Sequence, residues 1–138
     1  MNGLNSKPDG KPALREQCYV CMMALTDAPP PTEPRRAEIH AKHLDFLLDL
    51  ERRSILFAAG PFIDENGVRQ GGGMLIIRAK TRAEAEQIAG AEPYTMAGMR
   101  AMTVLPWQRN EGTLQLRIRF ADGVAEIDNR TYALTIPG

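Results

Sequence analysis

Hydrophobic periodicity changes along this chain in an order that few folds accommodate. Gln17–Thr26 (QCYVCMMALT) is an apolar run rich in β-formers and predicts a strand buried on both faces. Asp27–Pro34 (DAPPPTEP) cannot continue a strand or begin a helix early. From Arg35 to Arg53 the period becomes helical: Ile39, Leu44, Phe46, Leu47 and Leu50 share one broad arc, and Glu38, Lys42, Asp45 and Asp49 fill the opposite one. Thr32 is placed to cap that helix, with Pro34 in its first turn. Ile55–Ala59 then predicts a short strand ended by Gly60-Pro61. A polar loop (Ile63–Gln70) and a further strand (Gly72–Arg78) follow. Thr81-Arg82-Ala83-Glu84 is a capping box that opens a second helix to about Ala89, stopped by Gly90. Glu92-Pro93-Tyr94 reads as an extended break, Met96–Met99 as a short turn, and Arg100–Pro106 as the next strand.

The resulting order, β-α-β-β-α-β, is that of the split βαβ, ferredoxin-like unit. The fold class is therefore α+β, with one antiparallel sheet and helices on one face. The second face of such a sheet is left uncovered. The first and third strands are apolar on both sides, so a second copy of the chain is the expected cover. Beyond this unit, Thr113–Phe120 alternates cleanly and Asp122-Gly123 is a hairpin turn signal. Arg130–Ile136 alternates again. The expected organisation is a flexible leader over 1–15, an α+β domain over 16–107, and a C-terminal β-hairpin over 108–138. That hairpin is an extension of the same domain, adding to the sheet or covering a pocket mouth.

Composition narrows the function. The 138 residues suit one domain, and 17 Lys plus Arg against 17 Asp plus Glu leave a net charge of zero. Neither a nucleic acid nor an anionic membrane surface is an expected partner, since both call for clustered positive charge. No run of ~18 apolar residues is present to span a bilayer. The N-terminal residues Met1–Lys11 lack the apolar stretch of a secretory signal. Two cysteines are too few for a disulfide scaffold, which fits a reducing cytoplasm.

Few residues carry chemistry. Cys18 and Cys21 have the C-x-x-C spacing, but on a strand residues three apart point to opposite faces, and no second pair completes a zinc site. They read as small buried apolar groups. Gly71-Gly72-Gly73 leads from a loop into a strand rather than into a helix N-terminus, so it reads as a turn or bulge and not as a phosphate loop. His40 and His43, the two histidines of the chain, are neighbours on the first helix. Measured from Ile39, His43 lies at roughly 40° and His40 at roughly 100°, within the core-facing arc. Two readings stand: core histidines satisfied by a carbonyl or carboxylate, or groups of a site that titrate near neutrality. Two histidines without a matching carboxylate make no metal cluster, and neither a metal nor a cofactor is expected. Glu92, held extended by Pro93, is either a solvated helix stop or a carboxylate that orients one of these histidines.

The ordered set His43, Leu44, Leu47, Ala59-Gly60-Pro61, Glu84-Ala85, Pro93-Tyr94, Ala97-Gly98 and Val104-Leu105-Pro106 resembles the YCII-related family over Gln17–Trp107. The resemblance implies a dimeric α+β barrel, related in fold to muconolactone isomerases. It also implies a pocket between sheet and helices and a catalytic histidine–aspartate pair. His43 matches the histidine. Glu92 stands at the aspartate of the family's Asp-Pro-Tyr motif, one methylene longer. The Pro29-Pro30-Pro31 connection and the C-terminal hairpin depart from the family pattern.

The expected function is cofactor-free proton transfer on a small cyclic or aromatic acid, by elimination, isomerisation or dehydrochlorination. His43 is the expected base or acid and Glu92 the group that orients it. Arg36, His40 and Tyr94 are the expected substrate-binding residues, with Arg36 holding a carboxylate and Tyr94 donating a hydrogen bond. The alternative is a non-catalytic dimeric ligand-binding or interaction module in which the His–Glu pair is structural.

Overall fold

The structure, a computed structural model, describes residues 15–127 and 130–135. Within the unit Arg15–Arg109, strand β1 (Glu16–Leu25) is followed by helix α1 (Arg35–Arg52), strands β2 (Leu56–Ile63) and β3 (Arg69–Ile77), helices α2 (Arg82–Gly90) and α3 (Pro93–Met96), and strand β4 (Arg100–Arg109). The four strands form one antiparallel sheet in the order β2-β3-β1-β4, which is the ferredoxin-like arrangement the periodicity predicts.

Strand alternation divides the sheet into two faces. One carries Tyr19 and Cys21 of β1, Leu75 and Ile77 of β3 and Val104 of β4. These close the core against Leu50 of α1 and Ala85 and Ala89 of α2. The other face carries Leu105 and Trp107, both exposed, beside Met22, Met74 and Ile76. The unit places neither long helix on that second face. Cys21 belongs to the helix-side core, whereas Cys18 points the other way. Both are free and buried. Burial pushes the Cys21 thiol up to about 11 and raises Cys18 as well, so neither is poised as a thiolate.

Several boundaries differ from expectation for local reasons. β2 runs through Gly60-Pro61 to Ile63, because it is an edge strand, where a missing N–H costs no ladder bond. Its pairing with β3 shifts register between Pro61 and Ile63. β3 begins at Arg69 rather than Gly72, and Gly71, at φ 84°, lies inside it where the pairing with β2 is irregular, in keeping with the expected bulge. Thr32 does not cap α1: Pro34 occupies the cap position without a side-chain bond. Instead the Glu33 carboxylate reaches forward to the Ala37 amide at 3.3 Å. Thr81 does cap α2, accepting from the Glu84 amide at 3.1 Å, while the Glu84 carboxylate accepts from the Lys80 amide.

Helix α1 ends with Ser54 at φ 58°, the left-handed conformation that usually selects glycine after a helix. The turn is kept because the Ile55 amide returns to the Leu50 carbonyl at 2.9 Å. Ser54→Gly is expected to raise stability by about 1 kcal/mol in urea titration, the cost an L-residue meets there.

A second unit is described over residues 110–127 and 130–135. It is a three-stranded antiparallel sheet of β5 (Leu116–Arg119), β6 (Val124–Ile127) and β7 (Arg130–Ala133), in that order. The expected two-strand hairpin therefore gains a middle strand, whose sequence Val-Ala-Glu-Ile does not alternate. Arg119 pairs with Asp122 at 2.9 Å and with Glu126. Residues 1–14 of the expected leader (1–15), and residues 128–129 and 136–138 of the expected hairpin (108–138), lie outside the described residues.

Candidate active site

The helix-facing side of the sheet opens between α1 and β3 into a cleft of about 520 Å³, in the size range of small-molecule sites. Its apolar walls include Met23, Leu44, Leu47 and Pro61, and its polar groups are His40, His43, Tyr94, Arg69 and Arg100.

Glu92 is wholly buried at the start of α3, with extended backbone (φ −63°, ψ 128°) fixed by the following proline. It is no solvated helix stop. Its Oε1 accepts from the Tyr94 amide at 3.0 Å, and its Oε2 from the Thr95 amide and hydroxyl, each at 2.8 Å. The same Oε1 meets His43 Nδ1 at 2.7 Å. Burial pushes the Glu92 carboxyl up. The hydrogen bonds from His43, Tyr94 and Thr95 pull it the other way and hold it below its ordinary 4.5.

An ionised carboxylate only accepts, so Nδ1 of His43 carries the proton of that bond. In the neutral ring Nε2 is then the basic nitrogen, and it has no partner among the described residues. The His43 side chain is only 15% exposed, as its place in the core-facing arc predicts. His40 differs: it is exposed at the cleft rim, where Nδ1 lies 3.0 Å from the Tyr94 hydroxyl. The Tyr94 ring centroid is 5.0 Å from that of His43 and 6.5 Å from that of His40. His43, Glu92, His40 and Tyr94 are thus brought to one place.

Arg36 is not. Its guanidinium is two-thirds exposed and pairs with Glu33 at 2.7 Å, one turn away from the cleft. The arginines that line the cleft are Arg69 and Arg100, both missed in the sequence. Arg100 stacks on the Tyr94 ring, 5.0 Å from its centroid. For Arg100 the missed signal was strand alternation, since it shares parity with Met102 and Val104; Arg69 lies beyond the register shift of β3, where alternation gives no signal. The glycines also acquire a role. Gly73 faces the helix side opposite Met23, and a Cβ there would lie 2.8 Å from the Gly60 carbonyl. Glycine there permits the close approach of β2 and β3, and it lines the cleft with backbone alone. Among the described residues, no three His, Cys, Asp or Glu side chains converge as a metal site.

A family model for the YCII-related domain matches residues 19–108. A solved structure of 5-chloro-2-hydroxyhydroquinone dehydrochlorinase from Burkholderia phenoliruptrix, in complex with 2,5-dihydroxybenzoquinone, is similar in fold. Its TM-score is 0.50 at 22% sequence identity, over 65% of this chain and 92% of that one. Comparison with curated protein sequences gives no match.

Proposed function

The chain belongs to the YCII-related family, and from that premise we propose that it is a small cofactor-independent enzyme that moves a proton on a cyclic or aromatic acid. The observation that carries this reading is the 2.7 Å contact between His43 Nδ1 and buried Glu92, at the wall of a largely apolar cleft. Glu92 fixes the tautomer and ring orientation and stabilises the imidazolium that forms when Nε2 takes a proton. His40 and Tyr94, hydrogen-bonded to each other beside it, bind the substrate. Elimination, isomerisation and dehydrochlorination all begin with such a proton removal. The fold neighbour, which is named as a dehydrochlorinase, adds support for that class of reaction.

Two further parts of the reading concern assembly and place. A second copy of the chain covers the open sheet face, where Leu105 is 49% and Trp107 38% exposed. A reducing cytoplasm is the compartment we infer, a reading that the two free cysteines support. Among the described residues no helix is long and apolar enough to cross a membrane.

One observation favours a second reading. Both oxygens of Glu92 cap α3, so the pair also has a structural use, and a ligand-binding module without catalysis would need the same contacts. Incubating the protein with cyclic acids in D2O separates the two. The enzyme reading expects deuterium to enter the ring or the adjacent carbon faster than in buffer, with the gain lost in His43→Asn. Cyclic acids that bind without any catalysed exchange or turnover would leave only the module.

A further inference from the structure

Five of the ten arginines of the α+β unit, Arg36, Arg53, Arg78, Arg82 and Arg109, each lie within 4 Å of a carboxylate. Of the other five, Arg69 and Arg100 are the two that line the cleft, and among the described residues neither has a carboxylate partner. In a chain of zero net charge, this concentrates unneutralised positive charge in a concavity whose remaining wall is mainly apolar.

Their placement is not accidental to the fold. Arg100 opens β4 opposite Leu25, and Arg69 opens β3, two residues before Gly71, whose Cβ would touch the Leu25 side chain. Both therefore stand at the same end of the sheet, on the two strands that flank the end of β1. Both line the same cleft, together with His40, His43 and Tyr94. Arg100 is further held by stacking on Tyr94 and by a bond from its Nη1 to the Met99 carbonyl at 3.1 Å. Beside them, Gly60 and Gly73 line the cleft with bare backbone.

We propose that Arg69 and Arg100 are the anion-recognition residues of the cleft, and that they hold the carboxylate of a planar ring lying against the Gly60 and Gly73 backbone. A guanidinium fork matches a carboxylate in two parallel hydrogen bonds, and a flat ring suits a surface without side chains. The inference rests on the cleft being a substrate site and reassigns the carboxylate from Arg36 to these two residues.

The test uses benzoate and its neutral isostere benzamide, titrated into the whole protein at neutral pH by calorimetry or chemical-shift change. Benzoate is expected to bind about 10- to 100-fold more tightly than benzamide, the span of a charged hydrogen bond. Arg100→Gln is expected to abolish that preference, and Arg100→Lys to restore part of it. Arg69→Gln, at an exposed position that leaves the fold untouched, is expected to reduce it. Equal binding of the two probes, no binding of either at millimolar concentration, or a preference unchanged in Arg69→Gln and Arg100→Gln overturns the proposal. So does inorganic phosphate binding as tightly as benzoate, which would mean an anion site indifferent to the ring. The outcome is separable from that of the proton-transfer reading. A protein that prefers benzoate but exchanges no proton loses its catalysis and keeps its anion site; one that exchanges protons without the preference does the reverse.

Discussion

Replacing His43 by Asn is expected to lower the rate of proton transfer on a cyclic acid by about 100- to 10,000-fold, the usual contribution of a positioned acid–base group. The expectation follows from how little else in the cleft can take a proton. The Glu92 carboxylate is wholly buried and its oxygens are occupied by His43, Tyr94 and Thr95. His40, exposed at the cleft rim, has no carboxylate partner among the described residues to stabilise its charged form. Asparagine keeps a donor that can still reach Glu92 but has no nitrogen that titrates, so it removes the chemistry while sparing the contact. Binding of a cyclic acid should change little, because the loss lies in the transition state rather than in ground-state recognition. The check is deuterium incorporation or turnover at saturating ligand, with melting temperature measured alongside. A rate within threefold of the unsubstituted protein would remove His43 from the mechanism.

The legibility of this site in the sequence was uneven, and the reasons are physical. His43 announced itself because a helix wheel places a titratable ring among Ile39, Leu47 and Leu50, and a buried ring needs a partner. Glu92 was legible as a carboxylate pinned by Pro93, and the family resemblance pointed to its meeting His43. Its burial was not legible, since nothing local distinguishes an N-cap turned into the core from one turned to water. The order of strands and helices followed directly from the change in period, because a sheet and a helix cannot share one hydrophobic repeat. Where the reading failed, a local breaker was overruled by position in the sheet. Gly60-Pro61 looked like the end of a strand, but on the edge strand β2 a proline is tolerated. The glycine run looked like a turn or bulge at the start of a strand, and beginning β3 at Gly72 instead of Arg69 left Arg69 out of the strand that carries it. Arg36 was then the arginine nearest the histidines along the chain, yet its partner is Glu33, three residues away. Nearness along a helix is poor guidance to a cleft assembled from β3, β4 and α1 together.

Glu92 is where structure and chemistry are hardest to separate, and a pair of substitutions separates them. Glu92→Ala is expected to cost about 3 kcal/mol in urea unfolding, since it strips the cap from α3 and leaves His43 and the Thr95 hydroxyl without their acceptor. Glu92→Gln keeps one acceptor oxygen and loses the charge, so its cost should be about half as large. The acid dependence supplies a second readout. Because the folded protein holds the Glu92 carboxyl below its ordinary value of 4.5, the ionised form is favoured by folding. That contribution is fully present above the unfolded value and is lost as pH falls through the lower, folded one. Stability of the unsubstituted protein should therefore drop more steeply than that of Glu92→Gln as pH is lowered below about 4.5. Parallel curves would mean that Glu92 contributes no ionised contact to the native state. If the curves diverge as expected and Glu92→Gln also loses proton transfer far beyond its loss of stability, the carboxylate acts on His43 as a charged partner. If Glu92→Gln keeps its proton-transfer rate, the pair is a cap for α3 that happens to touch a histidine, and His43 works without it.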